Sequence, residues 1–150
     1  MKLLRSFKYA ASGFLYCVKH ERNFRIHLVA IAAIITLAII FELAVWEIAA
    51  LILAIALVLL AEMVNTAIER TVDAIKKLDE RTNDSLNRQC PNGHSGNFPP
   101  AGSADSLDLL RKVSKDIAAG AVLVSAIFAA IIGIIIFGAR IYEVIWGLLS

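Results

Sequence analysis

Residues 117–139, IAAGAVLVSAIFAAIIGIIIFGA, form a long run without one charged side chain. An α-helix of about 20 apolar residues crosses the hydrocarbon core of a bilayer, so this run predicts a transmembrane helix. The composition of the whole chain agrees: of 150 residues 59% are hydrophobic and 19% are charged, and the mean hydropathy is +0.72. These values exclude an ordinary soluble enzyme, a disordered tail and a secreted disulfide scaffold.

Two further apolar runs, at positions 26–41 and 48–61, are shorter. Both fall below the usual spanning length of about 18 residues. They form a credible helical hairpin if Glu42 and Glu47 lie at the outer membrane interface beside Trp46, a residue type enriched there. The alternative is two spans, with residues 26–61 lying in the interface as one broken segment. Three spans are favoured because these runs are apolar on all sides rather than amphipathic.

The distribution of basic residues predicts the orientation. With three spans, residues 1–27 and 62–116 share one side of the membrane and hold 14 of the 15 Lys and Arg residues. The positive-inside rule makes that side cytoplasmic. No cleavable signal peptide is predicted, and a net charge of +2 gives no case for nucleic acid.

Residues 1–150 are therefore predicted to form a single membrane domain. Its first part, residues 1–25, is predicted to be an amphipathic surface helix, with an apolar arc of Leu, Phe, Ala and Val opposite Lys and Arg. Glu21 breaks this pattern, so either the helix turns there or its carboxylate is held inside. The predicted membrane helices are 26–46, 47–78 and 106–142. Residues 79–105, rich in Asn, Ser, Asp, Gly and Pro, are predicted to form a flexible cytoplasmic loop.

The most informative polar residues lie in Glu62-Met-Val-Asn-Thr-Ala-Ile-Glu-Arg-Thr-Val-Asp73. Glu62, Asn65, Glu69 and Asp73 are spaced so that a helix places them in one stripe, within about 80° of arc and along about 16 Å. If Glu47 marks the outer interface, Glu62 lies about 22 Å further in, inside a hydrocarbon core of about 30 Å. A carboxylate at that depth is costly, and its presence predicts a functional site.

The stripe predicts two kinds of chemistry. Glu62 suits a general base acting on an alcohol. Glu69 and Asp73 offer the hard oxygen ligands that Mg²⁺ prefers, and through Mg²⁺ they could hold phosphates. Lys115 and Asp116 lie near the same level, at the cytoplasmic end of the third span. The chain has no G-x-x-x-x-G-K-[ST], G-x-G-x-x-G or protein-kinase signature, so these features alone do not identify a kinase.

The two cysteines, Cys17 and Cys90, are too few for a disulfide scaffold. Cys90 and His94 form a lone C-x-x-x-H pair. Only Cys17, His20 and His27 could complete a zinc site with them, and none is expected.

Three motifs follow one another along the chain: Glu21-Arg-Asn-Phe-Arg-Ile-His27, Glu62-x-x-Asn-Thr-Ala-Ile-Glu-x-x-x-Asp73 and Lys115-Asp-x-Ala-Ala-Gly-Ala-Val-Leu123. Together they resemble the prokaryotic diacylglycerol kinase family, which includes the undecaprenol kinases. The resemblance covers about residues 1–78 and 106–140. It implies an all-α integral membrane protein of the bacterial inner membrane, with an N-terminal amphipathic interfacial helix and three transmembrane helices. It also implies a homotrimer with active sites between subunits.

The activity that the resemblance implies is transfer of the ATP γ-phosphate to a lipid primary hydroxyl with Mg²⁺. The product would be phosphatidic acid from diacylglycerol, or undecaprenyl phosphate from undecaprenol. Carried over position by position, Glu62 is the implied catalytic base, and Glu21 and Glu69 are the implied metal ligands. The residues implied to order the site and contact nucleotide are Tyr9, Asn65, Asp73, Lys115 and Asp116. Those implied to lie near the lipid are Arg5, Arg25 and Ala119.

The chain departs from the family pattern in two places. The family has a short link with an E-Y-H-like stretch, where a much longer segment separates Asp73 from Lys115 here. Ala119 stands where the proteobacterial diacylglycerol kinases carry Ser, and with the N-F-R-I-H motif this looks more like the undecaprenol-kinase branch. Two alternatives from other classes remain open: a catalytically silent membrane scaffold or regulator, and a small ion-coupled transporter, since intramembrane carboxylates also serve transport.

Overall fold

The structure, a computed structural model, describes residues 2–89 and 101–149. They form four helices: α1 (Lys2–His20), α2 (Arg22–Ile40), α3 (Val45–Gln89) and α4 (Ala101–Leu149). No strand occurs in these residues. Three of the helices, α2, α3 and α4, contain segments long and apolar enough to cross a membrane, as the three-span prediction requires. The protein is an all-α membrane protein.

The central helix is α3, because every other helix packs against it. Its contact with α4 is the most extensive in the chain, and α2 and α1 make smaller contacts with it. Most large apolar side chains of α2 and α4 remain exposed in the single chain. An exposed apolar surface of this size is stable only in lipid or against other subunits.

Ion pairs at both ends of the membrane region fix the register of α3 against α4. Glu47 pairs with Arg140 at one end, with 2.8 Å between Oε2 and the guanidinium nitrogen. Asp73 pairs with Lys115 at the other, at 2.5 Å. The number of residues between the two ion pairs is nearly the same in α3 and in α4, so the two helices run antiparallel in a constant register. The pairs are about 39 Å apart along the helix, which leaves room for a hydrocarbon core of about 30 Å between them.

The turn between α2 and α3 is built from two standard helix caps. At the end of α2, the Glu42 N–H donates to the Ile39 carbonyl and the Leu43 N–H donates to the Ala38 carbonyl. This is a Schellman motif, and it places Glu42 in the left-handed region with φ 48°. At the start of α3, the Glu47 carboxylate accepts a hydrogen bond from the Ala44 N–H at 2.7 Å. Glu47 therefore caps α3 and also holds Arg140 of α4.

Replacing Glu42 with Gly is expected to stabilise the protein by about 1 kcal/mol, because a side chain in the left-handed region is strained and Gly is not. Thermal unfolding in detergent measures the change. Glu80→Gly is the matched control: Glu80 is an exposed residue within α3, so Gly there should destabilise by about 1 kcal/mol. A lower midpoint for Glu42→Gly would contradict the geometry of this turn.

The helix boundaries correct several predicted limits: α2 begins at Arg22 rather than 26, α3 at Val45 rather than 47, and α4 ends at Leu149 rather than 142. Three further corrections follow. The first predicted helix, 1–25, ends at His20 instead, and Glu21 adopts an extended backbone (φ −103°, ψ 118°) before α2 begins at Arg22. The second predicted helix, 26–46, ends at Ile40 because the Schellman turn follows it.

The third correction concerns the predicted loop 79–105. Within it, residues 79–89 continue α3 and α4 already begins at Ala101. The first helix breaker after Asp73 is Pro91, and Asp, Asn and Ser within a helix each cost no more than about 0.7 kcal/mol. An ion pair from Asp79 to Arg111 of α4 also supports this part of the helix. Residues 90–100, with Cys90 and His94, lie outside the described residues.

Candidate functional site

The site is centred on the middle of α3. Glu62, Asn65, Glu69 and Asp73 lie on one unbroken helix, with the spacing that forms a single stripe. Glu62 and Asn65 are buried, with exposed fractions of 3% and 8%, and Glu69 and Asp73 are half-buried. Burial therefore decreases along the stripe from the membrane interior toward the proposed cytoplasmic side.

Glu62 is the deepest charged group of this stripe. Its Oε2 atom is buried and has no hydrogen-bond partner among residues 2–89 and 101–149. The titratable neighbours of Glu62 come from three elements: His27 of α2, Glu21 between α1 and α2, and Glu69 of α3 itself. An acceptor oxygen that is buried without a donor is costly, so any donor that reaches it, from a ligand or a water molecule, would stabilise the site.

One helical turn further, Asn65 and Glu69 form a polar pair. The Asn65 Nδ2 donates to Glu69 Oε1 at 3.1 Å, which orients the carboxylate and turns the amide oxygen away from it. That amide oxygen, Oδ1, is buried and has no hydrogen-bond partner within the described part of the chain. The pair thus presents hard oxygen atoms, one of them unpartnered, which is the donor chemistry that suits Mg²⁺.

In residues 2–89 and 101–149, no three His, Cys, Asp or Glu side chains cluster closely enough to hold a metal by themselves. Mg²⁺ does not require such a cage, because it is usually held by one or two carboxylates together with phosphate oxygens and water.

Just before the apolar run of α4 begins, an ion pair between Asp73 and Lys115 joins α3 to α4. Their 2.5 Å contact brings together two residues that are 42 positions apart in the sequence. Asp116, the next residue, is exposed. One turn beyond, Arg111 is held between Asp79 and Asp108, at 3.0 and 2.8 Å.

Arg70 joins Glu21 to α3, a contact that the sequence analysis missed. Its guanidinium lies 2.8 Å from the Glu21 carboxylate and 5.6 Å from the centroid of the Tyr16 ring. Tyr16 in turn stacks on His20, with 4.4 Å between ring centroids. Of the two possibilities raised for Glu21, the structure shows the turn of the helix; the Glu21 carboxylate is only partly buried and pairs with the exposed Arg70. The sequence contained one indication of this contact: Arg70 directly follows Glu69, so a helix places Arg70 next to the stripe.

Cys17 is the second neighbour that the sequence did not reveal. The thiol is buried, 4% exposed, and is hydrogen-bonded to the buried Thr66 of α3. Burial raises the pKa of Cys17 above its usual value, and the nearby carboxylates Glu21 and Glu62 raise it further. Less thiolate is therefore present at neutral pH, and the thiol is a packing residue rather than a nucleophile.

We expect Cys17 to react with a maleimide at least tenfold more slowly in the folded protein than in the unfolded one, because both burial and the raised pKa reduce attack by thiolate. The measurement is mass-spectrometric labelling at neutral pH in a Cys90→Ser background. Arg70→Ala should accelerate labelling, because it removes an anchor of α1. Equal rates in folded and unfolded protein would contradict the docking of α1 against Thr66.

The other predicted residues lie apart from the stripe. Tyr9 is 73% exposed, and Arg5, Arg25 and Ala119 are also exposed. In the part of the chain that the structure describes, no side-chain hydrogen bond or ion pair ties the first three to another residue. The structure therefore brings together Glu21, Glu62, Asn65 and Glu69, and links Asp73 to Lys115, but it does not bring Arg5, Tyr9, Arg25 or Ala119 into that group.

The comparisons with known proteins agree on one family. The family described as prokaryotic diacylglycerol kinase matches residues 8–84 and 104–137, which include every predicted site residue except Arg5. A diacylglycerol kinase of Synechocystis sp. is 36% identical over 131 residues, which cover 87% of this chain and 59% of that protein. An undecaprenol kinase of Bacillus subtilis is 32% identical over 136 residues, which cover 91% of this chain and 88% of that protein. The chain thus spans less than two thirds of the first relative and most of the second. No solved structure is a significant match.

Proposed function

The chain belongs to the prokaryotic diacylglycerol kinase family, and on that premise we propose that it transfers the γ-phosphate of ATP to the primary hydroxyl of a membrane lipid alcohol. The acceptor is diacylglycerol, giving phosphatidic acid, or undecaprenol, giving undecaprenyl phosphate. The observation that carries the proposal is the buried Oε2 of Glu62, a carboxylate oxygen without a partner at the depth where a lipid hydroxyl lies.

Glu62 acts as the general base. The lipid hydroxyl donates its proton to the free Oε2 of Glu62 while its oxygen attacks the γ-phosphorus of ATP, and ADP leaves with the electrons of the broken P–O bond. The helix holds the carboxylate in place, so the hydroxyl and the phosphate need only be brought together. A lipid alcohol cannot leave the membrane and ATP cannot enter it, which makes the membrane interface the place for the reaction.

The phosphates are held further along the stripe. Glu69, oriented by Asn65, would hold Mg²⁺ together with Glu21 once that carboxylate leaves Arg70. When bound, Mg²⁺ neutralises the negative charge of the phosphate oxygens. Lys115 offers a positive charge to the nucleotide, and Asp73 fixes the position of that charge from the facing helix. Asp116 is exposed beside it and free to contact the nucleotide.

We propose a homotrimer with active sites between subunits, oriented with α1 and the α3–α4 connection in the cytoplasm. The exposed apolar faces of α2 and α4 support assembly. Tyr9, Arg5 and Arg25 are exposed in the single chain, and so are available to a neighbouring subunit's site. The orientation rests on the 14 Lys and Arg residues that lie on one side.

The test is acceptor-dependent release of ADP by the purified chain in mixed micelles, with diacylglycerol and undecaprenol supplied separately. We expect ADP with at least one of them, only when Mg²⁺ and ATP are present. The control is the same lipid with its hydroxyl converted to a methyl ether, which should release none. Equal ADP release with the ether would contradict the proposal, and so would none with either alcohol.

A further inference from the structure

The carboxylate of Glu21 makes its contact across the fold rather than with its own helix. Glu21 is the N-cap residue of α2 and has the extended backbone of that position, but its side chain makes no hydrogen bond to the helix. The side chain instead reaches α3, where one carboxylate oxygen lies 2.8 Å from the guanidinium of Arg70, 49 residues away in the sequence. The position of this carboxylate is therefore set by Arg70 and not by a helix cap.

The end of α1 holds Arg70 from its other side. The guanidinium carbon lies 5.6 Å from the centroid of the Tyr16 ring, a cation–π distance, and that ring stacks on His20. Both partners of the ion pair are accessible to solvent, with side-chain exposed fractions of 52% for Arg70 and 19% for Glu21. An ion pair this exposed is weak, so a competing cation can break it.

The surroundings of the ion pair provide a reason for such competition. Glu21 and Glu69 are both titratable neighbours of Glu62, so three carboxylates share this region. Like charges at close range repel one another, and a cation among them relieves that repulsion. Within residues 2–89 and 101–149, Arg70 is the cation that hydrogen-bonds to a member of this group. A divalent metal ion held by Glu69 and Glu21 needs the same carboxylate that Arg70 now contacts.

We propose that Arg70 is a latch on Glu21: the ion pair withholds the Glu21 carboxylate, and it must open before Glu21 can bind Mg²⁺ together with Glu69. This inference rests on the proposed function and deepens it, because it assigns a regulatory contact to the same site. When only a fraction of the molecules is competent to bind, the apparent affinity is lowered by that fraction. Arg70 therefore weakens metal binding, and its removal strengthens metal binding.

The binding test uses Mn²⁺ alone with the purified full chain in detergent, and electron paramagnetic resonance measures the dissociation constant. Arg70→Gln should lower this constant at least threefold, because Glu21 is then free. Lys77→Gln is the matched control for charge, since Lys77 is an exposed cation about 10 Å further along the same helix; it should change the constant less than twofold. Weaker Mn²⁺ binding in Arg70→Gln would overturn the proposal, because Arg70 would then position Glu21 for the metal. An unchanged constant, or an equal change in both variants, would overturn it as well.

A double-mutant cycle shows whether the effect of Arg70 passes through Glu21. In a Glu21→Gln background, Arg70→Gln should change the Mn²⁺ dissociation constant less than twofold, because no carboxylate remains to be released. A threefold gain in that background would assign the effect to the general loss of positive charge and overturn the latch. No Mn²⁺ binding to the wild type or to any variant would also overturn it, because Arg70 would have no metal to compete with.

Chemical modification of arginine measures the opening of the contact without turnover. Phenylglyoxal, which modifies accessible arginines, should label Arg70 at least threefold faster at saturating Mn²⁺ than without it, as read by peptide mass spectrometry. Arg81, an exposed arginine of the same helix, should keep its rate. An unchanged rate at Arg70 with Mn²⁺ bound would overturn the latch.

The latch and the kinase fail in different ways. Mn²⁺-dependent opening in protein that phosphorylates no lipid would support the latch and refute the kinase. Phosphate transfer to lipid, with an Mn²⁺ affinity that Arg70→Gln does not change, would refute the latch and leave the kinase standing.

Discussion

Replacing Glu62 with Gln is expected to lower turnover by a factor of about 10²–10⁴, the usual contribution of a general base. Gln keeps the shape of the side chain but cannot take the proton of the lipid hydroxyl. The fold should tolerate the change, because Oε2 of Glu62 makes no hydrogen bond that Gln would break. Initial rates of phosphate transfer at saturating ATP and lipid measure the effect, and gel filtration in detergent checks assembly.

The matched control for this substitution is Glu80→Gln. Glu80 lies on the same helix and is exposed, and its one ion pair among the described residues is with Lys76, at 4.0 Å, so removing its charge should leave the rate unchanged. If Glu62→Gln keeps more than a tenth of the wild-type rate, Glu62 is not the base. Equal losses of rate in both variants would show that any loss of charge on α3 lowers the rate, and that the buried carboxylate has no special role.

Replacing Glu69 with Gln should also remove most activity, by a different route. Loss of metal stabilisation worth several kcal/mol corresponds to roughly 10²–10³ in rate. The amide oxygen of Gln can still accept the hydrogen bond from Asn65, so the local fold should persist. We expect the Mg²⁺ concentration for half-maximal rate to rise, and high Mg²⁺ to restore part of the rate. In Glu62→Gln, Mg²⁺ should restore nothing.

Direct binding provides a second readout for Glu69. Mn²⁺ with a non-hydrolysable ATP analogue should give an electron paramagnetic resonance signal of bound metal in the wild type and in Glu62→Gln, and a weaker one in Glu69→Gln. An unchanged Mg²⁺ requirement and unchanged Mn²⁺ binding in Glu69→Gln would show that the metal ligands lie elsewhere.

The elements that sequence reasoning predicted well are those set by a periodic pattern. Three apolar runs predicted three membrane helices, and the spacing of Glu62, Asn65 and Glu69 predicted one stripe. Helix ends were harder, because they depend on local hydrogen bonds. Nothing in the composition of residues 79–89 distinguishes a loop from an exposed helix, and Asp79 contacts an Arg that lies 32 residues away.

The contacts missed from sequence are all long-range. Arg70 with Glu21, Cys17 with Thr66 and Arg140 with Glu47 each join residues far apart in the chain. Their existence depends on how α1 and α4 pack on α3, which no single helix pattern encodes.

The scaffold and transporter hypotheses differ from the kinase in a measurable way. A transporter would use Glu62 to move a cation without ATP or a lipid acceptor, and a scaffold would need no buried base. The family match and the two relatives, both named as lipid kinases, support the kinase.

The most direct measurement is transfer of radiolabelled γ-phosphate from ATP to lipid by the purified full chain. Diacylglycerol and undecaprenol are supplied in separate reactions, and the products are separated by chromatography. We predict a labelled lipid phosphate from at least one of the two acceptors, and none from Glu62→Gln. No labelled lipid from folded, oligomeric wild-type protein with either acceptor would contradict the central claim that Glu62 serves a lipid kinase.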